Sequence, residues 1–385
     1  MGEDGVAGLG ARSQAALAQA DVIMAPPRHL ELLGKTPAQT MPWPVPFSDG
    51  LDQLETLRGQ RVVVLASGDP FWFGAGTVIA QRLGPQEWTA YPGPSCFALA
   101  AAHLGWALDG TACLGLHAAP MQRLRRHLAK GARAIVTLRD GNAVADLADY
   151  LCDQGFGDSM VTVFEHLGGP QERKTTQAAS DLDGTFDHPV CTAIDFAGDG
   201  AALTRATGQR DDIFQSDGQM TKRPVRAITL SSLAPKPHEH LWDIGGGSGS
   251  IALEWLLADP STRATCIEPR ADRAANIAAN ADALGVSHRL TLVTGAAPDA
   301  LGGLDAAHAI FVGGGLSPAL LDAVTVLPAR LVINAVTLEG ETWLSAAQAE
   351  HGGDMMRIEI ANAKPLGRKR GWSASYPVVQ WSLTR

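Results

Sequence analysis

The chain's 385 residues exceed what one ordinary hydrophobic core supports, so two compact units are expected. With 45% hydrophobic and 18% charged residues it has the composition of a soluble globular protein, and no apolar run approaches the roughly 20 residues that span a bilayer, which excludes a membrane-spanning class. A formal charge of −9 argues against a broad nucleic-acid footprint, because phosphate binding needs a concentrated basic face.

Taken in chain order, the start Met1-Gly2-Glu3-Asp4 is acidic where a secretory signal is basic, and the expected address is the cytoplasm. Strands are expected near 61–66, 87–91, 133–138 and 160–165, and helices near 75–83, 95–104 and 142–152. The stretch 198–218 is polar and rich in Gly and Asp, which suits a linker and divides the chain into 1–208 and 209–385. Beyond it, strands at 240–244, 263–268, 289–294, 308–312 and 330–336 are interleaved with helices at 248–258, 271–284 and 340–350. Such alternation predicts a Rossmann-like, doubly wound parallel sheet. Segments 355–361 and 376–383 have no helix between them and should form an antiparallel hairpin at the sheet edge.

The five cysteines, Cys96, Cys113, Cys152, Cys191 and Cys266, form no C-x-x-C pair and are read as reduced core residues, with no metal site. His238 and His240 are expected in structural roles rather than as ligands, and Trp106, Trp343, Trp372 and Trp381 as packing residues. Residues 364–370 gather four cations, which makes them either a solvated loop or an anion-binding flap.

The sharpest motif is Trp242-Asp243-Ile244-Gly245-Gly246-Gly247-Ser248-Gly249, which ends a strand and opens a helix. Glycines let a cofactor touch backbone that Cβ atoms would hold away. Alone, such a loop serves nicotinamide, flavin or adenosylmethionine equally. A carboxylate at Asp243 would repel a diphosphate and suit a ligand carrying an ammonium and a sulfonium, which favours S-adenosylmethionine. Glu268 ends the next strand, where an acid can accept both ribose hydroxyls. Gly295-Ala296-Ala297-Pro298 follows the third strand, where small residues let adenine lie on backbone.

With Asp217 to Arg226 ahead of the loop, Phe311-Val312-Gly313-Gly314-Gly315 after the fourth strand and Asn334-Ala335-Val336-Thr337-Leu338-Glu339 at the fifth, residues 217–385 resemble the decarboxylating C15-methyltransferases of cobalamin biosynthesis. That family often carries Cys where this chain has Gly246, a change a backbone-lined site should tolerate. The first half resembles the tetrapyrrole methylases that act on carbon 5, through Leu65-Ala66-Ser67-Gly68-Asp69-Pro70, Tyr91-Pro92-Gly93-Pro94-Ser95, Leu104-Gly105-Trp106 and Glu165-His166-Leu167-Gly168-Gly169-Pro170. On sequence alone Ser-Gly-Asp-Pro is simply a good turn. The order of the halves is similar to the fused precorrin-6Y C(5,15)-methyltransferases. Tetrapyrrole methylases open with an apolar strand running into Val-Gly-x-Gly-x-Asp-Gly, and this sequence begins inside that loop. The N-terminal α/β domain is therefore expected to lack its first strand, through a start placed too late or an impaired domain.

The resemblance implies methylation of precorrin-6B at carbons 5 and 15, loss of the ring C acetate as carbon dioxide, and a homo-oligomer, often a tetramer built through the C-terminal domain. It implies Gly245, Gly246, Gly247, Ser248, Gly249 and Asp243 around the methionine moiety of S-adenosylmethionine. Glu268 would hold the ribose, Ala296 and Ala297 would lie near adenine, and Thr221 would close over the cofactor. Gly68, Asp69, Pro70 and Ser95 would contact cofactor in the N-terminal domain. Gly313, Gly314 and Gly315 would floor the substrate crevice, and Lys364, Arg368, Lys369 and Arg370 would hold substrate carboxylates. The rival readings are an adenosylmethionine-dependent methyltransferase of another small molecule or of RNA, and an N-terminal half that serves only as an assembly module.

Overall fold

The structure is a computed structural model and describes residues 1–384. The chain divides into one unit of Met1–Met121 with His127–Ala202 and a second of Gln122–Arg126 with the residues from Leu203 onward.

The first unit runs α1 (Ala11–Ala18), β1 (Val22–Ala25), α2 (Pro27–Leu33), β2 (Gln39–Pro42), α3 (Phe47–Thr56), β3 (Val62–Val64), α4 (Gly76–Arg82) and α5 (Cys96–Leu104). It continues with β4 (Ala112–Gly115), β5 (Arg133–Thr137), α6 (Asn142–Asp153), β6 (Met160–Glu165), β7 (Arg173–Ala178) and β8 (Val190–Asp195). A three-stranded parallel sheet has the order β2-β1-β3, and a five-stranded mixed sheet has the order β4-β5-β8-β6-β7. Met1 is buried with Leu17, Ile23 and Leu65, and its amino group donates to the carbonyl of Ala66. The strand expected at 87–91 does not form. Pro85, Pro92 and Pro94 remove ladder donors on either side of it, and the Glu87 carboxylate instead accepts the Gly84 N–H at 2.7 Å and fixes a turn.

The second unit runs α7 (Arg223–Leu233), β9 (His240–Ile244), α8 (Ser250–Ala258), β10 (Arg263–Glu268), α9 (Ala271–Ala283), β11 (Leu290–Thr294), β12 (Ala309–Val312), α10 (Pro318–Thr325) and β13 (Arg330–Ala335). It ends with α11 (Leu338–His351), β14 (Asp354–Ile358), β15 (Ala361–Leu366), β16 (Lys369–Ala374) and β17 (Val378–Leu383). Seven strands form one sheet in the order β11-β10-β9-β12-β13-β17-β14, parallel from β11 through β13 and antiparallel beyond. This is the expected doubly wound sheet. Alternate strand residues feed two cores, as period-2 geometry requires. Leu241, Cys266, Phe311 and Val332 pack with Leu230 of α7, Leu253 and Trp255 of α8 and Ile277 of α9. Trp242, Ile244, Ile310 and Ile333 pack with Leu320 of α10 and Leu344 of α11.

The antiparallel edge is present, with one addition. β14 and β17 pair, Ile358 opposite Val378, but a second hairpin, β15–β16, is inserted between them. Lys364 opposes Gly371 and Leu366 opposes Lys369, with Gly367 turning at φ +60°, a conformation that favours glycine. Trp372 lies on this hairpin 79% exposed rather than packed, whereas Trp381 is fully buried. Cys152 is exposed rather than in the core.

Candidate functional site in the second unit

The strand order reverses between β9 and β12: from β9 the chain steps outward through β10 to β11, then returns to the other side of β9. At such a switch point the loops diverge and leave a crevice at the carboxyl ends of the strands. The loops after β9, β10, β11 and β12 meet there around a cleft of about 1090 Å³.

Its inner wall is the glycine loop. Gly245, Gly247 and Gly249 all have positive φ, at 73°, 60° and 75°. Gly245 is also sterically obligatory, since a Cβ there would stand 2.6 Å from the carbonyl oxygen of Gly314. The two glycine loops therefore pack backbone on backbone. Gly247 N–H donates to Glu268 Oε2 at 2.8 Å, and Arg270 N–H to Glu268 Oε1 at 3.0 Å. Each carboxylate oxygen keeps further acceptor capacity. Gly249 caps α8 from outside the cleft, its Cβ direction filled by Ile277 at 3.0 Å.

Of the residues singled out from the sequence, Thr221, Gly245, Gly246, Gly247, Ser248 and Glu268 line this cleft, together with Ala296, Ala297, Gly313, Gly314 and Gly315. Thr221 is held in the wall by its carbonyl, which accepts from the fully buried Arg226 guanidinium at 2.6 Å. That guanidinium also donates to Glu254 and to the Gln209 carbonyl, while Glu254 accepts the N–H groups of Gly208 and Gln209. A buried ion pair thus ties the segment entering the unit to the Thr221 stretch of the cleft wall.

Asp243 requires a correction. It shares the parity of Leu241, so its side chain enters the face covered by α8, where Oδ2 accepts the Ala252 N–H at 3.0 Å. It is 1% exposed and does not line the cleft. Burial pushes its pKa up to about 7, with only partial relief from the Ala252 bond and a further upward push from Glu268. The carboxylate expected to repel a diphosphate at the loop is a buried brace beneath it, with a raised pKa. The acid in the cleft wall is Glu268.

Gly246 carries a second correction. Its backbone lines the cleft, but a Cβ would point into the core, 2.1 Å from Cys266 Sγ. A side chain here is therefore not freely tolerated.

Lys364, Arg368, Lys369 and Arg370 are exposed on the β15–β16 hairpin and are not part of the cleft wall. The base of that hairpin is, through Ile360, Asn362, Ser375 and Tyr376. Cross-strand partners share a face. Asn362, Lys364 and Lys369 therefore lie on one side of the hairpin, and Pro365, Arg370 and Trp372 on the other.

In the first unit, Gly68 has φ +54°, and a Cβ would meet the Pro94 carbonyl oxygen at 2.9 Å and Ser95 Cα at 3.0 Å. The two motif loops are therefore in contact. Asp69 Oδ1 accepts the Phe71 N–H at 2.8 Å, Ser95 caps α5 through the Ala98 N–H at 3.2 Å, and the Pro70 carbonyl accepts from Gly76 N–H at 2.8 Å. These bonds shape the loops. His166, whose motif suggested no role, has φ +49° and its Nδ1 lies 3.0 Å from Glu3 Oε2.

Arg273 and Tyr376, which the sequence did not single out, also line the second unit's cleft, as does Asn334, quoted above only as part of a motif and given no site role. Asn334 carried a signal, a lone amide within the apolar run Leu331-Val332-Ile333-Asn334-Ala335-Val336. Among the described residues no three His, Cys, Asp or Glu side chains gather as a metal site, and no helix is long and apolar enough to cross a membrane.

A doubly wound sheet with a glycine-cornered cleft and an acid ending the next strand defines a nucleotide-cofactor-binding α/β class, and the family matches make that class a methyltransferase. Residues 212–385 match the family described as the precorrin methyltransferase domain, and residues 2–183 match the tetrapyrrole (corrin/porphyrin) methylases. The precorrin-6Y C(5,15)-methyltransferase [decarboxylating] of a Sinorhizobium species is 46% identical over all of this chain and 95% of its own length. The protein of that name from Mycobacterium tuberculosis is 38% identical, over all of this chain and 98% of its own. A solved C-terminal domain of the Rhodobacter capsulatus precorrin-6Y C5,15-methyltransferase is 53% identical, covering 48% of this chain and all of that one, with a TM-score of 0.46. The chain belongs to the decarboxylating precorrin-6Y C(5,15)-methyltransferase family.

Proposed function

We propose that the chain methylates precorrin-6B at carbons 5 and 15 and removes the ring C acetate, giving precorrin-8 in cobalamin biosynthesis. In this reading the second unit carries the C15 and decarboxylation chemistry and the first unit the C5 transfer. The supporting observation is the Gly245–Ser248 loop hydrogen-bonded to Glu268 in the wall of one cleft, in a chain 46% identical end to end to a relative of that name.

The residues present fit S-adenosylmethionine. Glu268 has acceptor capacity on both oxygens for a pair of ribose hydroxyls, and Ser248 Oγ is a buried polar atom without a partner among the described residues. A cleft of about 1090 Å³ stands at the upper end of the roughly 300–1,000 Å³ typical of ligand pockets. When bound there, S-adenosylmethionine supplies an electrophilic methyl group on a sulfonium. The chain's own task is to align a carbon nucleophile with that methyl and exclude water. The glycine loop does so by close backbone approach, and the Thr221 segment by covering the cleft. Lys364 and Lys369, on the hairpin face shared with Asn362, would meet substrate carboxylates. A homo-oligomer and a cytoplasmic setting complete the proposal.

Glu268→Ala tests the cofactor assignment in the whole chain. S-adenosylhomocysteine affinity at this site, read by calorimetry, should fall at least tenfold, about 1.4 kcal/mol. Tight NADH binding with none of S-adenosylhomocysteine would end the reading.

A further inference from the structure

Asn334 stands at the carboxyl end of β13, two strands from the β9 loop and on the side away from β10. At the usual strand spacing this puts it roughly 10 Å from the cofactor loop, toward the substrate end of the cleft.

Its amide orientation follows from the hydrogen-bond count. Thr229, fully buried, donates its hydroxyl hydrogen to the Val225 carbonyl at 2.9 Å and is left as an acceptor only. Asn334 Nδ2 donates to Thr229 Oγ1 at 2.9 Å, and Gln380 Nε2 donates to the same oxygen at 3.1 Å. Gln380 Nε2 also donates to Asn334 Oδ1 at 2.8 Å, and its own Oε1 accepts from Ser232 Oγ at 2.7 Å. Flipping either amide would set acceptor against acceptor. Asn334 is thereby fixed with one N–H and one carbonyl lone pair unspent. Gly313, Leu320 and Val336, which line the same cleft, offer no charged side chain.

We infer that Asn334 orients the acetate that the substrate loses. The inference rests on the function proposed above. An arginine or lysine would hold the carboxylate by a charge-assisted bond about twice as strong as a neutral one and oppose its departure. A fixed neutral N–H aims the acetate while leaving its charge uncancelled. In the step itself, the bond between the acetate methylene and its carboxylate breaks and carbon dioxide leaves. The electron pair is delocalised into the protonated conjugated ring, and a proton from water then completes the methyl group.

The test uses the full chain with precorrin-6B and methyl-labelled S-adenosylmethionine, measuring carbon dioxide released per methyl transferred and S-adenosylhomocysteine affinity. Asn334→Ala should lower the ratio at least tenfold. Asn334→Asp should lower it further by repulsion, and Gln380→Leu should lower it less, by freeing the amide to turn. S-adenosylhomocysteine affinity should stay within twofold throughout. An unchanged ratio, an equal loss of both products, or a matching loss of S-adenosylhomocysteine binding would overturn the assignment. A wild-type chain yielding neither product would overturn the underlying function instead.

Discussion

A buried acid beside a second acid titrates late, and Asp243 does so with a pKa of about 7 against an ordinary 3.8. A raised folded-state pKa means the fold prefers the protonated form. That preference stabilises the second unit fully below about pH 4, and it is lost progressively as the pH rises to about 7, at up to about 1.4 kcal/mol per pH unit. Asp243→Asn keeps an acceptor for Ala252 N–H but cannot ionise, so this slope should vanish from urea-unfolding stabilities measured across that window. Parallel slopes in variant and parent would refute the assignment. The placement was legible in the sequence, because Asp243 lies two residues from Leu241 and must share its buried face. The charge argument treated the residue as the end of a strand rather than a member of one. At Gly246 nothing in the sequence announced the Cys266 contact, since it joins neighbouring strands. Gly246→Ala should cost about 1–3 kcal/mol by overpacking, with most of the loss recovered by adding Cys266→Ala. Equal destabilisation in both backgrounds, read by thermal melts, would exclude the contact as the cause.

Elements with a strong period were readable, and β9, β10 and β13 fall within a residue of where the pattern put them. Those that escaped have weaker reasons to exist locally. α7 carries Thr229, Ser231 and Ser232, poor helix formers, and is stabilised by the Arg226–Glu254 pair and by packing of Leu230 and Leu233. α10 did announce itself, with Ser317 capping the Leu320 N–H ahead of Pro318, but it is too short to show periodicity. β15 is exposed throughout, and the half-buried positions of β16 are Gly371 and Ser373, neither of them a large apolar residue, so no hydrophobic alternation marks the hairpin. Its register separates cations that the sequence grouped together. Lys364→Ala and Lys369→Ala should each raise the substrate KM several-fold, whereas Arg370→Ala, on the opposite face, should leave it near the parent value in steady-state assays. An Arg370 effect as large as theirs would mean that the face assignment is wrong.

For the whole molecule, two α/β units and a cofactor cleft with Glu268 in its wall could be argued from pattern and from the glycine loop, whereas methyl transfer and the macrocyclic substrate came from resemblance once the Asp243 argument failed. The assignment of one methylation to each unit can be checked without cutting the chain. Glu268→Ala in the full protein should lower labelled methyl groups per macrocycle from two toward one, with the remaining label at carbon 5 and little carbon dioxide. Loss of the carbon 5 label instead would reverse the assignment. The inserted hairpin bears on how such a catalyst is tailored. Ile358 and Val378, the residues flanking it, are already bonded partners in the sheet, so a turn of about two residues could close the gap where 359–377 now protrude. Exchanging only its outer part, 363–372, would keep Ile360, Asn362, Ser375 and Tyr376 in the cleft wall and leave the sheet untouched, which makes it the natural graft point for retuning which macrocycle is accepted.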